Sequence, residues 1–239
     1  MNMSRNTPTE RENHSVKISA SLMCADMHNL GREIGLLEEA GVDWMHLDVM
    51  DGVFVPNFAF STKALETLRP LTQKPFDVHI MGSDPSKHID RVINSGADII
   101  SIHVESSHVK ETLAKIRAAG IKAGLAISPE TPYQEVLPFL DDIDLALFMT
   151  VSPGFAGQKF IPDVISKIYS FKRHITEQGR PIEISVDGGI GTHTIPVLAS
   201  AGATIFVGGT TGLFIKDRQF METVATMRTL AAHHQQDHK

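Results

Sequence analysis

Only one cysteine, Cys24, and one tryptophan occur in 239 residues. A lone thiol excludes an intrachain disulfide framework and fits a reducing, cytoplasmic compartment. No apolar run approaches the ~18 residues that suggest a membrane span. The opening stretch MNMSRNTPTERENHS has no apolar core and is no secretory signal. Residues 1–15 are therefore expected to form a flexible tail, as are residues 233–239, HHQQDHK, whose His233 and His234 read as solvated rather than metal-binding. An excess of basic residues is missing too. With 22 Lys and Arg against 28 Asp and Glu, the formal net charge is −6, which gives no reason to expect nucleic acid or an anionic membrane as partner. No Pro/Gly/Ser-rich linker interrupts residues 16–232, so one domain is expected there.

What the chain has instead is one unit used many times. Short apolar runs alternate with longer amphipathic ones: VKISASLM, WMHLDVM, FDVHIMG, DIISIHVE, KAGLAIS, DLALFMTV, PIEISVDGG and TIFVGG read as eight strands. Segments such as NLGREIGLLEEAG, KHIDRVINSG, VKETLAKIRAAG and IPVLASAG have helical spacing. They end at Gly41, Gly96, Gly120 and Gly202, where a helix C-cap needs a left-handed residue. AGVDWMHLD, SGADIISIH and AGATIFVGG repeat one helix-to-strand joint. Strict β–α alternation implies parallel strands, and eight units imply an α/β fold of the (β/α)8 barrel type. An open doubly wound sheet would want a G-x-G-x-x-G after the first strand, and SLMCADMHNLG has none.

Side chains alternate faces along a strand, so the wholly apolar set packs on helices and the other set enters the lumen. That sends His46, Asp48 and Met50 inward from the second strand, and Asp77, His79 and Met81 from the third. Glu183, Ser185 and Asp187 enter from the seventh, Ser19, Ser21 and Met23 from the first, and Ser101, His103 and Glu105 from the fourth. An ionised carboxylate in a buried strand costs several kcal/mol unless it is paired or bound to a metal. Asp48, His79 and Asp187 lie near the C-terminal ends of their strands, where such barrels carry their chemistry, with His46 one inward step below. Two imidazoles and two carboxylates from three strands suit one divalent metal ion, with Zn, Fe, Mn and Co all compatible. Asp77 and His103 are read as members of an ordinary polar layer, and Asp51-Gly52 as a turn.

Two glycine-rich loops follow the seventh and eighth strands, DGGIG at 187–191 and GGTTG at 208–212. Those are the positions where this fold commonly binds phosphate through backbone N–H groups. The loop VSPGFAGQKF, 151–160, is a candidate lid over a small substrate. Met23, Met50 and Met81 would line the site with apolar, water-poor surface.

HLDVMDGVFVPN, DVHIM, MTVSPGFAGQKFIP and VDGGI, in that order and spacing, resemble the signature segments of ribulose-phosphate 3-epimerases from about Val16 to beyond Phe214. The resemblance implies a metal-dependent barrel interconverting D-ribulose 5-phosphate and D-xylulose 5-phosphate, in a homo-oligomer acting on a small sugar phosphate. By motif, His46, Asp48, His79 and Asp187 correspond to metal ligands, and Asp48 and Asp187 also to the two acid/base carboxylates. Ser21, His79, Gly154, Phe155, Ala156, Gly157, Gly188, Gly189, Gly209 and Thr210 correspond to substrate and phosphate contacts. ASLMCAD in the first strand, PGFAGQ in the lid and GGTTGLF after the eighth depart from the commoner PSILSAD, PGFGGQ and AGSAIF-like segments. These variants are similar to the allulose-6-phosphate 3-epimerase branch, which makes D-allulose 6-phosphate the alternative substrate. A sugar-phosphate decarboxylase on the same barrel would place a lysine within an Asp-x-Lys-x-x-Asp pattern, and DVMD has none. A non-catalytic phosphosugar-binding barrel would have no use for both carboxylates and both histidines.

Overall fold

The computed structural model describes residues 16–234. Its strands are β1 (Lys17–Ser21), β2 (Trp44–Met50), β3 (Phe76–Met81), β4 (Ile99–His103), β5 (Lys122–Ile127), β6 (Leu145–Met149), β7 (Glu183–Asp187) and β8 (Ile205–Gly208). All pair in parallel in chain order, and β8 returns to β1, so the sheet closes into a barrel with no free edge. Around it lie α1 (Leu30–Glu39), α2 (Thr62–Leu68), α3 (Ile89–Asn94), α4 (Val109–Ala118), α5 (Val164–Glu177), α6 (Ile195–Ser200) and α7 (Phe220–His234). The fold is the expected single-domain (β/α)8 barrel.

Two details depart from strict expectation. Between β5 and β6 the connection is a 3-10 helix, Tyr133–Phe139, with Pro138 inside it. Proline has no N–H to donate and crowds the preceding turn, so a regular α-helix is disfavoured there. At the other end α7 runs through His234, beyond the expected boundary at 232. The expected tail at 1–15, and residues 235–239 of the one expected at 233–239, lie outside the described residues.

The repeated joint has a physical basis. Gly41, Gly96, Gly120 and Gly202 all adopt positive φ, between 74° and 109°. After Gly41 and Gly96 the aspartate two residues on turns back to the preceding strand, and Asp144, just before β6, does the same without a glycine before it. Asp43, Asp98 and Asp144 accept the backbone N–H of Ile18 at 2.7 Å, Phe76 at 2.8 Å and Ala123 at 2.9 Å. Each satisfies a backbone donor at or next to the start of a neighbouring strand.

Alternation holds as read. Met45, Leu47, Phe76, Val78, Ile80, Ile184 and Val186 pack in the core beneath the helices. A fully buried side chain of this kind contributes roughly 1.5–3 kcal/mol. On the lumen side Trp44, Ile99, Leu145 and Ile205, from alternate strands, form an apolar floor. Above it the lumen turns polar, with Ser19, Asp77, His46, Ser101, Ser185, His79 and His103 all buried. A dry floor and a polar upper lumen confine chemistry to the C-terminal mouth.

Candidate functional site

His46, Asp48, His79 and Asp187 meet at that mouth, each offering one donor atom, and the four atoms lie within 4.8 Å of one another. His46 Nε2 is 3.4 Å from Asp48 Oδ1 and 3.9 Å from Asp187 Oδ2, and His79 Nδ1 is 3.2 Å from Asp48 Oδ1. Both imidazoles are fully buried, Asp48 nearly so, and the Asp187 side chain is 19% exposed. His46 Nδ1 hydrogen-bonds the Asp77 carboxylate at 2.8 Å, and Ser19 Oγ donates to the same oxygen at 3.0 Å. A carboxylate only accepts, so the neutral His46 ring keeps its hydrogen on Nδ1. Its Nε2 is buried with no hydrogen-bond partner. A buried lone pair aimed at two carboxylates and a second imidazole fits a divalent cation, and the N2O2 donor set suits a transition metal.

Electrostatics separate the four groups. Burial pulls the His46 pKa down, but the charges of Asp77 and Asp48 outweigh it and hold it well above the usual histidine value. Burial pushes Asp48 up, yet the imidazoles of His46 and His79 win and keep it well below the usual carboxylate range. Asp187 is pushed up to about 6, mainly by burial, against the pull of His46 and with some repulsion from Asp48. Burial also lowers His79. Two nearby carboxylates thus differ in proton affinity, an arrangement suited to one acid and one base.

A cavity open at the barrel mouth lies over this cluster. Its walls bring together Ser21, Asp48, Gly154, Phe155, Ala156, Gly157, Asp187, Gly188, Gly189, Gly209 and Thr210, all singled out in the sequence. His46 and His79 lie beneath. The loops 187–191 and 208–212 are locked together by contacts that only glycine permits: a Cβ on Gly191 would fall 2.6 Å from the Thr211 carbonyl oxygen, and one on Gly212 2.5 Å from that of Ile190. Thr211 Oγ1 donates to the Ile190 carbonyl at 2.8 Å. The loop 151–160 is tied across the mouth, with Asn57 Nδ2 donating to the Gly154 carbonyl at 2.7 Å. Met50, Val55 and Met81 form a small apolar cluster with Met23 against it, and Met149 joins the lining.

Several participants escaped the sequence reading. Asp77 is the partner that orients His46, not a bystander of the polar layer. His103 is hydrogen-bonded to His79 Nε2 at 2.9 Å and to Glu105 at 2.9 Å. Their inward parity was visible; their contact with the cluster was not. Thr150 accounts for the fixed end of β7, donating from its backbone N–H and its hydroxyl to the Asp187 carbonyl at 2.7 and 3.0 Å. Asp51 holds the expected turn role and more. Its Oδ1 accepts from the N–H groups of Val53 and Phe54, and its Oδ2 from Ser83 N–H and Oγ, which pins the loops after β2 and β3 together.

A family model described as the ribulose-phosphate 3 epimerase family matches residues 17–214. The ribulose-phosphate 3-epimerase of Bacillus subtilis (strain 168) is 42% identical over 206 residues, covering 85% of this chain and 95% of its own. That of Rhodobacter capsulatus is 44% identical over 201 residues, covering 84% and 86%. Among solved structures, 3-hexulose-6-phosphate synthase from Salmonella typhimurium superimposes with a TM-score of 0.66, covering 91% of this chain and 99% of its own. At 15% identity it attests to the fold alone.

Proposed function

We propose, on the premise that this chain belongs to the ribulose-phosphate 3-epimerase family, that it interconverts D-ribulose 5-phosphate and D-xylulose 5-phosphate by inverting C3. The observation that carries the reading is the convergence of His46, Asp48, His79 and Asp187 directly below two interlocked glycine loops. Those loops would take the phosphate on backbone N–H groups of Gly188, Gly189, Gly209 and Thr210, leaving C3 over the carboxylates. Ser21 would hold a substrate hydroxyl. The segment Gly154–Gly157, with Phe155 and Ala156 at its tip, would cover the sugar and exclude water.

The C2 carbonyl makes the C3 proton acidic, because the resulting carbanion delocalises as an enediolate. Asp48 and Asp187 reach the site from non-adjacent strands, so one can remove the proton from one face while the other returns one to the opposite face, with roles exchanged in reverse. Their separated proton affinities suit that division. His46, Asp48, His79 and Asp187 would hold one Zn, Fe, Mn or Co ion. Bound there, it supplies Lewis-acid stabilisation of the negative charge developing on the substrate oxygens. Met23, Met50, Met81 and Met149 keep water from the intermediate. A cytoplasmic location fits the free thiol Cys24, and family membership supports a homo-oligomer, which light scattering checks.

The ASLMCAD and PGFAGQ variants make D-allulose 6-phosphate the competing substrate. Parallel turnover assays on metal-loaded protein decide between the sugars. A higher kcat/KM for D-ribulose 5-phosphate is expected; preference for the hexulose phosphate would replace the substrate, and no turnover of either would remove the activity.

A further inference from the structure

We propose that His103 and Glu105 are positioning residues that hold His79 in the tautomer a cation requires, through a hydrogen-bond chain from the barrel rim to the metal cluster. The inference rests on the reading of His46, Asp48, His79 and Asp187 as a metal site. The chain runs Ser128 N–H to Glu105 Oε1 at 2.9 Å, Glu105 Oε2 to His103 Nδ1 at 2.9 Å, and His103 Nε2 to His79 Nε2 at 2.9 Å. His79 Nδ1 then faces Asp48 Oδ1 at 3.2 Å. His103 is fully buried, stacked on His79 with ring centroids 5.0 Å apart and covered by Phe54 at 4.6 Å.

The direction of every bond follows from the donor inventory. Ser128 N–H can only donate. The Glu105 carboxylate only accepts, and it stays ionised: burial alone would raise its pKa, but His103, Thr131 and the Ser128 amide outweigh that and hold it at about 2. A neutral His103 ring therefore carries its hydrogen on Nδ1, which leaves a lone pair on Nε2. Two imidazole nitrogens at 2.9 Å need one hydrogen between them, so His79 donates from Nε2. Its Nδ1 is left as a lone pair beside Asp48. Asp77 does the same for His46 in one step, and through the opposite nitrogen. Both rings thus present lone pairs to two carboxylates, an arrangement that only a cation or a bound proton relieves. Partners of this kind behind a ligand histidine typically contribute about 10–100-fold in metal affinity.

Glu105→Gln reverses the chain without changing its shape. Ser128 N–H demands the amide oxygen, so the amide NH2 must face His103 Nδ1. His103 then protonates Nε2 and donates to His79 Nε2, and the hydrogen of His79 moves to Nδ1, where a metal would bind. The test measures zinc affinity by chelator competition, with 15N spectra of the histidine rings. The variant should melt in its metal-free form near the wild type while losing about 10–100-fold in zinc affinity. Zinc-loaded wild type should carry the His79 hydrogen on Nε2. Unchanged affinity in Glu105→Gln, or a His79 hydrogen on Nδ1 in the zinc-loaded wild type, overturns the positioning role and leaves the metal site standing. A wild type that binds no zinc or cobalt overturns both.

Discussion

Asp187 sits last on β7 with its carboxyl pushed up to about 6, against a neighbour, Asp48, held far lower. In the metal-free protein a group so placed can hold a proton and still give it up near neutral pH. Asp187→Asn keeps the shape but removes the base, so turnover of D-ribulose 5-phosphate should fall by about 10²–10⁴-fold with the circular dichroism spectrum unchanged. Near-wild-type turnover would eliminate the two-carboxylate mechanism. Parity along β2 and β3 was enough to point His46, Asp48 and His79 into the lumen, because alternation follows from the pleat alone. It could not rank Asp77 or His103, since what they do depends on a 2.8 or 2.9 Å approach between rotamers on different strands. His103 and Glu105, two apart on one face, carried a faint sign of their pairing.

The loops after β7 and β8 and the joints before the strands act as elements. Among the loop glycines, Gly209 is the clean probe. A Cβ there meets only Cys24 Sγ at 3.5 Å, an ordinary contact, whereas one on Gly188 would fall 2.4 Å from Val151 at a φ of +110°. Gly209→Val should therefore fold and bind metal, but crowd the phosphate and displace C3, lowering kcat/KM by about 10²-fold. Residual activity on the unphosphorylated ketose should change far less; equal losses on both sugars would show damage to β8 instead. The joints govern stability. Asp43→Ala strips the acceptor from Ile18 N–H and the partner from Arg228, which donates at 2.7 Å. Denaturant unfolding should register a loss of about 1–3 kcal/mol with kcat unaltered. The repeated AGVD and SGAD segments made these joints legible, because a left-handed glycine and a nearby aspartate are local requirements. The 3-10 connection before β6 was less so: its prolines were visible, but where the helix fails depends on the packing it must reach.

Across the whole molecule, the closed barrel brings to one mouth groups that lie 141 residues apart in the chain, from His46 to Asp187. Their protons and a metal compete for the same lone pairs. The raised pKa of Asp187 means that it is protonated below about pH 6 in the metal-free protein, and His46 holds its proton higher still. A metal must displace these protons, so apparent affinity should rise with pH through this range, by about tenfold per pH unit for each proton released. Calorimetry in buffers of differing ionisation heat counts them; pH-independent binding between pH 5 and 7 would mean that Asp187 is not a ligand. The epimerisation itself is tested most directly by NMR of D-ribulose 5-phosphate incubated with metal-loaded protein in deuterium oxide. Proton removal by one carboxylate and return by another predicts D-xylulose 5-phosphate carrying solvent deuterium at C3, with other carbon-bound positions unlabelled. Absence of that product, or product that keeps its original C3 proton, would contradict it.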